Sequence, residues 1–259
     1  MKIYVKTETF ALQKNKLYLY SFNMKVLGIE TSGLIGNIAV CDGNTVVGKK
    51  IYGNNFSHGK EMVSSLVSIF NEIKWEPGDI DLIAVSTGPG SYTGLRIGIT
   101  CAKTLAYGLG KPVIDVPTLD VLVENVKDNN AKTICPVIDA KRKSVYACIY
   151  DRCNNENRKA TDFLIISPDD LIDILPESTL IFGDGIAPYK EIFTQKGLII
   201  VEDEKLGIAD AADVARLGMK RYDQGIRCEI NALTPLYLRK SEAEERLKES
   251  CRQNVIHDS

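Results

Sequence analysis

Apolar positions along this chain fall into short alternating or continuous segments, and the order of those segments repeats. From Lys25 the chain reads VLGIE, a tight polar turn TSGLIG, then NIAVCDG. This predicts two strands joined by a turn that begins at the acidic Glu30. The pattern passes through Asp42–Gly43–Asn44 into TVVGKKIYG, which extends an antiparallel meander. The period then changes. In HGKEMVSSLVSIFNEI the apolar residues Met62, Val63, Leu66, Val67, Ile69, Phe70 and Ile73 follow helical spacing, and Pro77–Gly78 closes the helix. A strand IDLIAVST, the glycine-rich loop STGPGSYTGLR and a second helical stretch LRIGITCAKTLAYGLG complete the first half.

The second half has the same order. TICPVID, AKRKS and VYACIYDRC again read strand, acidic turn, strand, with Asp139 standing where Glu30 stood. STLIFGDGIAPYKEIF then repeats strand, glycine turn (Gly183, Gly185) and helix. Two such copies predict a duplicated, two-lobed α/β architecture, although two short hairpins in an ordinary α/β protein give the same local pattern. Between the copies lies GKPVIDVPTLD, a linker in which Pro112 and Pro117 bracket a short strand. Thr118 then stands as the cap of a helix carrying Leu119, Leu122, Val123 and Val126. Further on, ADAADVARLGMKRY reads as a helix, NALTPLYLRKS as an extended segment and EAEERLKESCRQNV as a charged terminal helix. The expected division is an N-terminal extension over 1–23 ahead of Met24, a first lobe over 24–117 completed by 234–259, and a second lobe over 118–233.

Composition narrows the function classes. The 259 residues are 44% hydrophobic and 25% charged with a formal net charge of -2, values of a globular protein with ample core. A protein that grips nucleic acid alone usually shows a basic surface. Here only Lys141, Arg142 and Lys143, and the pair Lys220 and Arg221, cluster at all. The seven cysteines form no C-x-x-C pair, which argues against zinc ribbons and fits a reducing cytoplasm. No apolar run approaches the roughly 18 residues that span a bilayer, so no membrane partner is expected.

Glycine-rich turns between a strand and a helix often hold phosphate, because backbone N–H groups and the helix N-terminus favour an anion. The loop at Gly88–Gly94 fails both standard tests. It is one residue too long for G-x-x-x-x-G-K-[ST], with Leu95–Arg96 at the end, and its glycines read G-x-G-x-x-x-G. The helix after it carries Gly94, Gly98, Ala102 and Ala106 every four residues, beside a mixed stripe of Arg96, Thr100, Lys103 and Tyr107. Interior glycine costs a helix about 1 kcal/mol relative to alanine, so Gly98 predicts a close neighbour. The wide apolar faces of both helices predict burial within a larger fold or contact with another chain.

Catalytic candidates are few. Of the two histidines, His257 sits in a polar tail, and His58 has Met62 rather than histidine four residues on, so no H-x-x-x-H metal pair exists. Ser91 lies in G-x-S-x-x-G, not the nucleophile elbow G-x-S-x-G. Glu30 and Asp139 could face each other across a cleft as metal-binding or acid–base carboxylates, or simply cap backbone N–H groups in their turns.

LGIETS, the helix opened by His58, GPGSYTGLRIGITCAKTLA, DAKRKSVYA, FGDG and PLYLR together resemble the bacterial TsaB (YeaZ-type) family, related to the TsaD/glycoprotease superfamily, over about residues 24–246. The resemblance implies the duplicated two-lobe actin-like ATPase (ribonuclease H-like) fold. It also implies a non-catalytic partner in forming N6-threonylcarbamoyladenosine at position 37 of ANN-decoding tRNAs. The catalyst implied is a TsaD-type subunit, which holds metal through H-x-x-x-H. In this chain the first of those positions is His58 and the second is Met62.

Pairing is implied through helices at about 57–73 and 93–108, either with TsaD or, in its absence, with a second copy of this chain. That places Met62, Val63, Leu66, Phe70, Gly94, Leu95, Gly98, Ile99, Ala102 and Ala106 at the partner interface. A TsaE-type ATPase is implied to join, and tRNA to be reached indirectly through the complex. The actin-like phosphate loop reads D-x-G-[ST], and Glu30–Thr31–Ser32–Gly33 departs from it, as SHGKEM departs from the usual H-S-E pattern. No intrinsic cofactor or metal is therefore expected, with ATP, ADP or Mg bound only weakly or at the complex interface. The nucleotide cleft, if used, would be formed by Glu30, Thr31, Ser32, Gly88, Gly90, Ser91, Asp139, Gly183 and Gly185. The alternatives are a small actin-fold ATPase or kinase using those residues, and, with less support, a metallo-endopeptidase.

Overall fold

A computed structural model describes residues 24–53, 58–127, 131–153 and 156–239, apart from the side chain of His58. The 1–23 extension, the charged helix expected over 242–255, Cys251 and His257 lie outside the described residues. In the first lobe, β1 (Lys25–Glu30) is buried from its second residue onward, and β2 (Gly36–Asp42) is buried up to its last. β3 (Thr45–Tyr52) alternates between exposed and partly covered positions, as an edge strand does. The helix α1 (His58–Ile73) leads to β4 (Leu82–Gly88), buried throughout, then to α2 (Tyr92–Leu109) and β5 (Val113–Pro117). The five strands lie in the order β3-β2-β1-β4-β5, with β1 antiparallel to β2 and parallel to β4.

The second lobe is reached through the short helix α3 (Thr118–Val123). Thr118 does not cap it. Its hydroxyl lies 2.9 Å from that of Ser86, both buried, and the N-cap position is Pro117. The strands β6 (Thr133–Asp139), β7 (Val145–Ala147), β8 (Tyr150–Cys153), β9 (Glu156–Lys159) and β10 (Leu164–Ile166) follow. After them come α4 (Pro168–Ile174), β11 (Leu180–Phe182), α5 (Lys190–Phe193), β12 (Ile199–Val201) and α6 (Ala211–Asp223). Their main path runs β10-β7-β6-β11-β12, which reproduces the first sheet's order strand for strand. The duplication legible in the sequence is therefore a duplication of topology.

VYACIYDRC was expected as one strand but is split into β7 and β8. Pro136 explains the break. It lies in the middle of β6, where a missing N–H removes a ladder bond. Pairing with β7 covers 137–139 and pairing with β8 covers 133–134, in one unbroken register, with the gap at 135–136. On the other strand the gap falls at Cys148–Ile149, where the Ile149 N–H turns to the Thr161 hydroxyl at 3.1 Å.

Three apolar clusters form a layered molecule. One lies between the first sheet and the α1/α2 layer, and another between the second sheet and α4/α5. The third lies between the two sheets and contains α3 and α6. Within the expected 118–233 span, α6 packs on the back of the first sheet. Gly28 in β1 is what admits it, since a Cβ there would sit 2.0 Å from the Ala211 carbonyl oxygen. Buried Asn37 on β2 fixes the start of α6. Its amide donates to the Ala209 carbonyl at 3.0 Å and its carbonyl accepts from the Ala211 N–H at 2.6 Å.

Candidate functional site

Each lobe ends its first strand in a carboxylate that is engaged by its own turn. Glu30 is buried at the end of β1, and its Oε1 accepts from both the N–H and the hydroxyl of Ser32. Among the described residues its other oxygen, Oε2, is buried without a hydrogen-bond partner. Burial raises the Glu30 pKa above the usual carboxylate range, while Ser32 and Ser86 pull the other way and Asp210 adds to the rise. At the equivalent place in the second lobe, Asp139 Oδ1 accepts from the Lys141 N–H at 2.8 Å and Oδ2 pairs with the Lys141 ammonium at 2.6 Å. The Asp139 N–H donates to Asp184 Oδ1 at 3.0 Å, between Gly183 and Gly185. Both carboxylates thus accept from the N–H two residues on, as turn-capping side chains do.

The glycine loop closes on the Glu30 turn. The Ser91 N–H donates to the Ser32 carbonyl at 2.7 Å, and the Ser91 hydroxyl accepts from the Gly94 N–H at 3.2 Å as the N-cap of α2. A Cβ at Gly90 would meet the Ser32 carbonyl oxygen at 2.4 Å. At Gly94 it would meet the Thr31 carbonyl oxygen at 2.0 Å, and at Gly98 the Thr31 hydroxyl at 2.2 Å. The small-residue row of α2 therefore accommodates this chain's own Thr31. Gly88, with φ 109, lies at the end of β4 beneath Leu95.

An actin-like fold raises the question of a Mg-nucleotide, and these residues do not fit one. Such a site needs a carboxylate and unengaged N–H groups directed at the phosphates. Here Glu30 is enclosed, Asp139 is engaged by Lys141, and the Ser91 and Gly94 N–H groups are used within the loop. Among the described residues no three His, Cys, Asp or Glu side chains converge as metal ligands. A separate cavity of about 220 Å³ opens between α3, α6 and β8–β9, lined in part by Asp120, Tyr150, Lys159 and Arg221, and none of the expected cleft residues lines it.

The interface residues read from the sequence divide sharply. Met62, Leu66, Phe70, Leu95, Ile99, Ala102 and Ala106 are buried against the first sheet, and Gly94 and Gly98 beneath Thr31. Of that set Val63 alone is exposed, at 61%. Outside the core lie Val63 and Val67 on α1, one turn apart, and the half-buried Ile97, Cys101 and Leu105 of α2, while exposed Tyr107 sits on the separate mixed stripe with Arg96, Thr100 and Lys103. The signal for the half-buried row was present: 97, 101 and 105 recur every four residues, beside the glycine row rather than on it.

The duplicated sheets and the paired acidic turns define a two-lobed actin-like α/β protein. A family model described as "TsaD: tRNA N6-adenosine threonylcarbamoyltransferase" matches residues 55–247. The chain is 30% identical to the tRNA threonylcarbamoyladenosine biosynthesis protein TsaB of Bacillus subtilis, covering 88% of this chain and 99% of that one. To the Escherichia coli TsaB protein it is 26% identical, covering 86% and 98%. The solved structure titled YeaZ from Pseudomonas aeruginosa shares the fold, with a TM-score of 0.73 and 22% identity over 83% of this chain and 100% of that one. This chain belongs to the TsaB family, within the TsaD superfamily.

Proposed function

We propose that this chain acts in the biosynthesis of threonylcarbamoyladenosine on tRNA as a non-catalytic subunit that binds and activates a TsaD-type threonylcarbamoyltransferase. The observation that carries the reading is the exposed apolar face of α1, where Val63 and Val67, one turn apart, are 61% and 60% exposed. Apolar residues grouped on long helices outside the chain's own core are the chemistry of a protein contact. Family membership supplies the kind of partner, since the relatives are named for this biosynthesis. Met62 adds support, because a buried thioether stands where a second metal histidine would be required.

In this reading the same surface pairs two copies of the chain when the TsaD-type subunit is absent. A TsaE-type ATPase joins the pair, and the assembly works in the cytoplasm. Among the described residues no helix is long and apolar enough to cross a membrane. The test is co-purification of the full chain with its cognate TsaD-type subunit, followed by reconstituted modification of tRNA with and without this chain. Val63→Asp with Val67→Asp is expected to lose both the complex and the stimulation while the chain stays folded. A retained complex in that double variant contradicts the proposal.

A further inference from the structure

The first turn of α2 and the segment 236–239 build an exposed cluster that the partner surface does not use. The rings of Tyr92 and Tyr237 stack with centroids 5.1 Å apart and planes 28° apart. The Arg96 guanidinium lies 4.2 Å from the Tyr92 ring centre, and its Nε donates to the Tyr237 hydroxyl at 3.0 Å. Both rings stay open to solvent, at 45% and 44%. The segment is anchored by the Leu236 N–H, which donates to the Thr87 carbonyl at 2.7 Å.

Two residues beyond Tyr237, the cluster crosses to the other lobe. Arg239 Nη2 donates to the Lys141 carbonyl at 3.4 Å. Lys141, Arg142 and Lys143 are three exposed consecutive residues in the left-handed region, with φ of 59°, 52° and 57°. Residues with a Cβ rarely adopt that conformation, and Asp139 holds this turn through its bonds to the Lys141 N–H and ammonium. Among the described residues Asp139 and Asp184 stand beside the loop, and Asp139 is engaged by Lys141, which leaves Lys143 as the cation to test. Arg96 thus lies on the two exposed tyrosines, and Arg239 links that pair to the exposed, basic Lys141–Lys143 loop of the other lobe.

We infer that this two-lobed surface, Tyr92–Arg96–Tyr237–Arg239 with the Lys141–Lys143 loop, directly binds a single-stranded segment of RNA. Aromatic and guanidinium faces stack bases without regard to sequence, and the flanking cations meet phosphates. The choice of RNA rests on the proposed role in tRNA modification. The inference goes beyond that role by giving this chain its own contact to the strand rather than one made only through its partners.

The test is fluorescence anisotropy of a fluorescein-labelled, unstructured 12-nucleotide RNA titrated with the full chain at low salt. Saturable binding is expected, weakened about fivefold or more by Tyr92→Ala and by Tyr237→Ala. Tyr237→Phe, which keeps the ring, is expected to bind like the parent. Lys143→Ala is expected to weaken binding about threefold and to reduce the slope of log affinity against log salt by about 0.7, the single-strand value per phosphate contact. Lys50→Ala, which removes an equal charge from an ion pair with Glu72 on another face, is expected to change nothing.

No binding, or binding indifferent to the tyrosine and Lys143 substitutions, overturns the inference. Full displacement of the RNA by an equal concentration of AMP also overturns it and assigns the surface to a mononucleotide. A chain that captures its TsaD-type subunit and ignores RNA loses this inference while keeping the proposed function. One that binds RNA through these residues and fails to capture the subunit does the reverse.

Discussion

In the first lobe the helices that follow β3 and β4 run for 16 and 18 residues; in the second, those that follow β10 and β11 run for 7 and 4. At 1.5 Å per residue the first pair reach about 24 and 27 Å, against about 10 and 6 Å for the second. Both pairs fill the same role toward their sheets, with Ile69 and Ala102 fully buried on one side and Leu171 and Phe193 on the other. The difference lies outside. The long helices present Val63, Val67 and Tyr107 to solvent, and on α4 the single exposed large apolar residue is Ile174. The two lobes share a sheet order, and the longer helices of the first bury an inner face along their length while leaving Val63 and Val67 outside it. That outer pair is what the proposed partner contact uses.

The inner faces should be equally important in both lobes. Phe193→Ala is expected to destabilise the chain by about 3–5 kcal/mol and Ile69→Ala by about 2–5 kcal/mol, measured by urea denaturation. If one lobe tolerates its substitution freely, the equivalence of the two cores is wrong. A smaller effect sharpens the comparison within α2. Gly94→Ala gains about 1 kcal/mol of helix propensity, but its Cβ would overlap the Thr31 carbonyl. Overpacking of that kind costs about 1–3 kcal/mol, so a net loss of stability is expected. Net stabilisation would show that the glycine row is not held by Thr31.

The first of the two acidic turns is open to a test by pH. Burial raises the folded-state pKa of Glu30, so its protonated form favours the folded chain. That contribution is fully present below the unfolded value near 4.5 and is lost as pH rises through the raised folded value. Glu30→Gln should therefore flatten the rise in stability on acidification, with its benefit over the parent confined to the higher pH. Unchanged pH dependence from pH 4 to 8 in the variant would remove Glu30 as its source.

Much of this was legible from periodicity. Alternating strands, the acidic ends at Glu30 and Asp139, both long helices and the repeated order all follow from patterns within a few residues. What depended on distant parts of the chain was not. Nothing in ADAADVARLGMKRY says that it crosses to the first sheet, because its partner Gly28 is far away in sequence. Thr118 has the chemistry of a cap, and only the fold brings Ser86 to its hydroxyl. Met62 and Val63 are both apolar and about 100° apart around α1, so the sequence could not say which faces the sheet. The structure buries Met62 and exposes Val63, which moves the candidate surface by one position.

The most direct measurement is isothermal titration of the cognate TsaD-type subunit with three forms of this chain. These are the parent, Val63→Asp/Val67→Asp on the long outer face, and Ile174→Asp on the short one. The account predicts that the double variant binds at least tenfold more weakly, a loss of about 1.4 kcal/mol, with an unchanged melting temperature, while Ile174→Asp binds like the parent. Equal affinity for all three, or loss confined to Ile174→Asp, would contradict it.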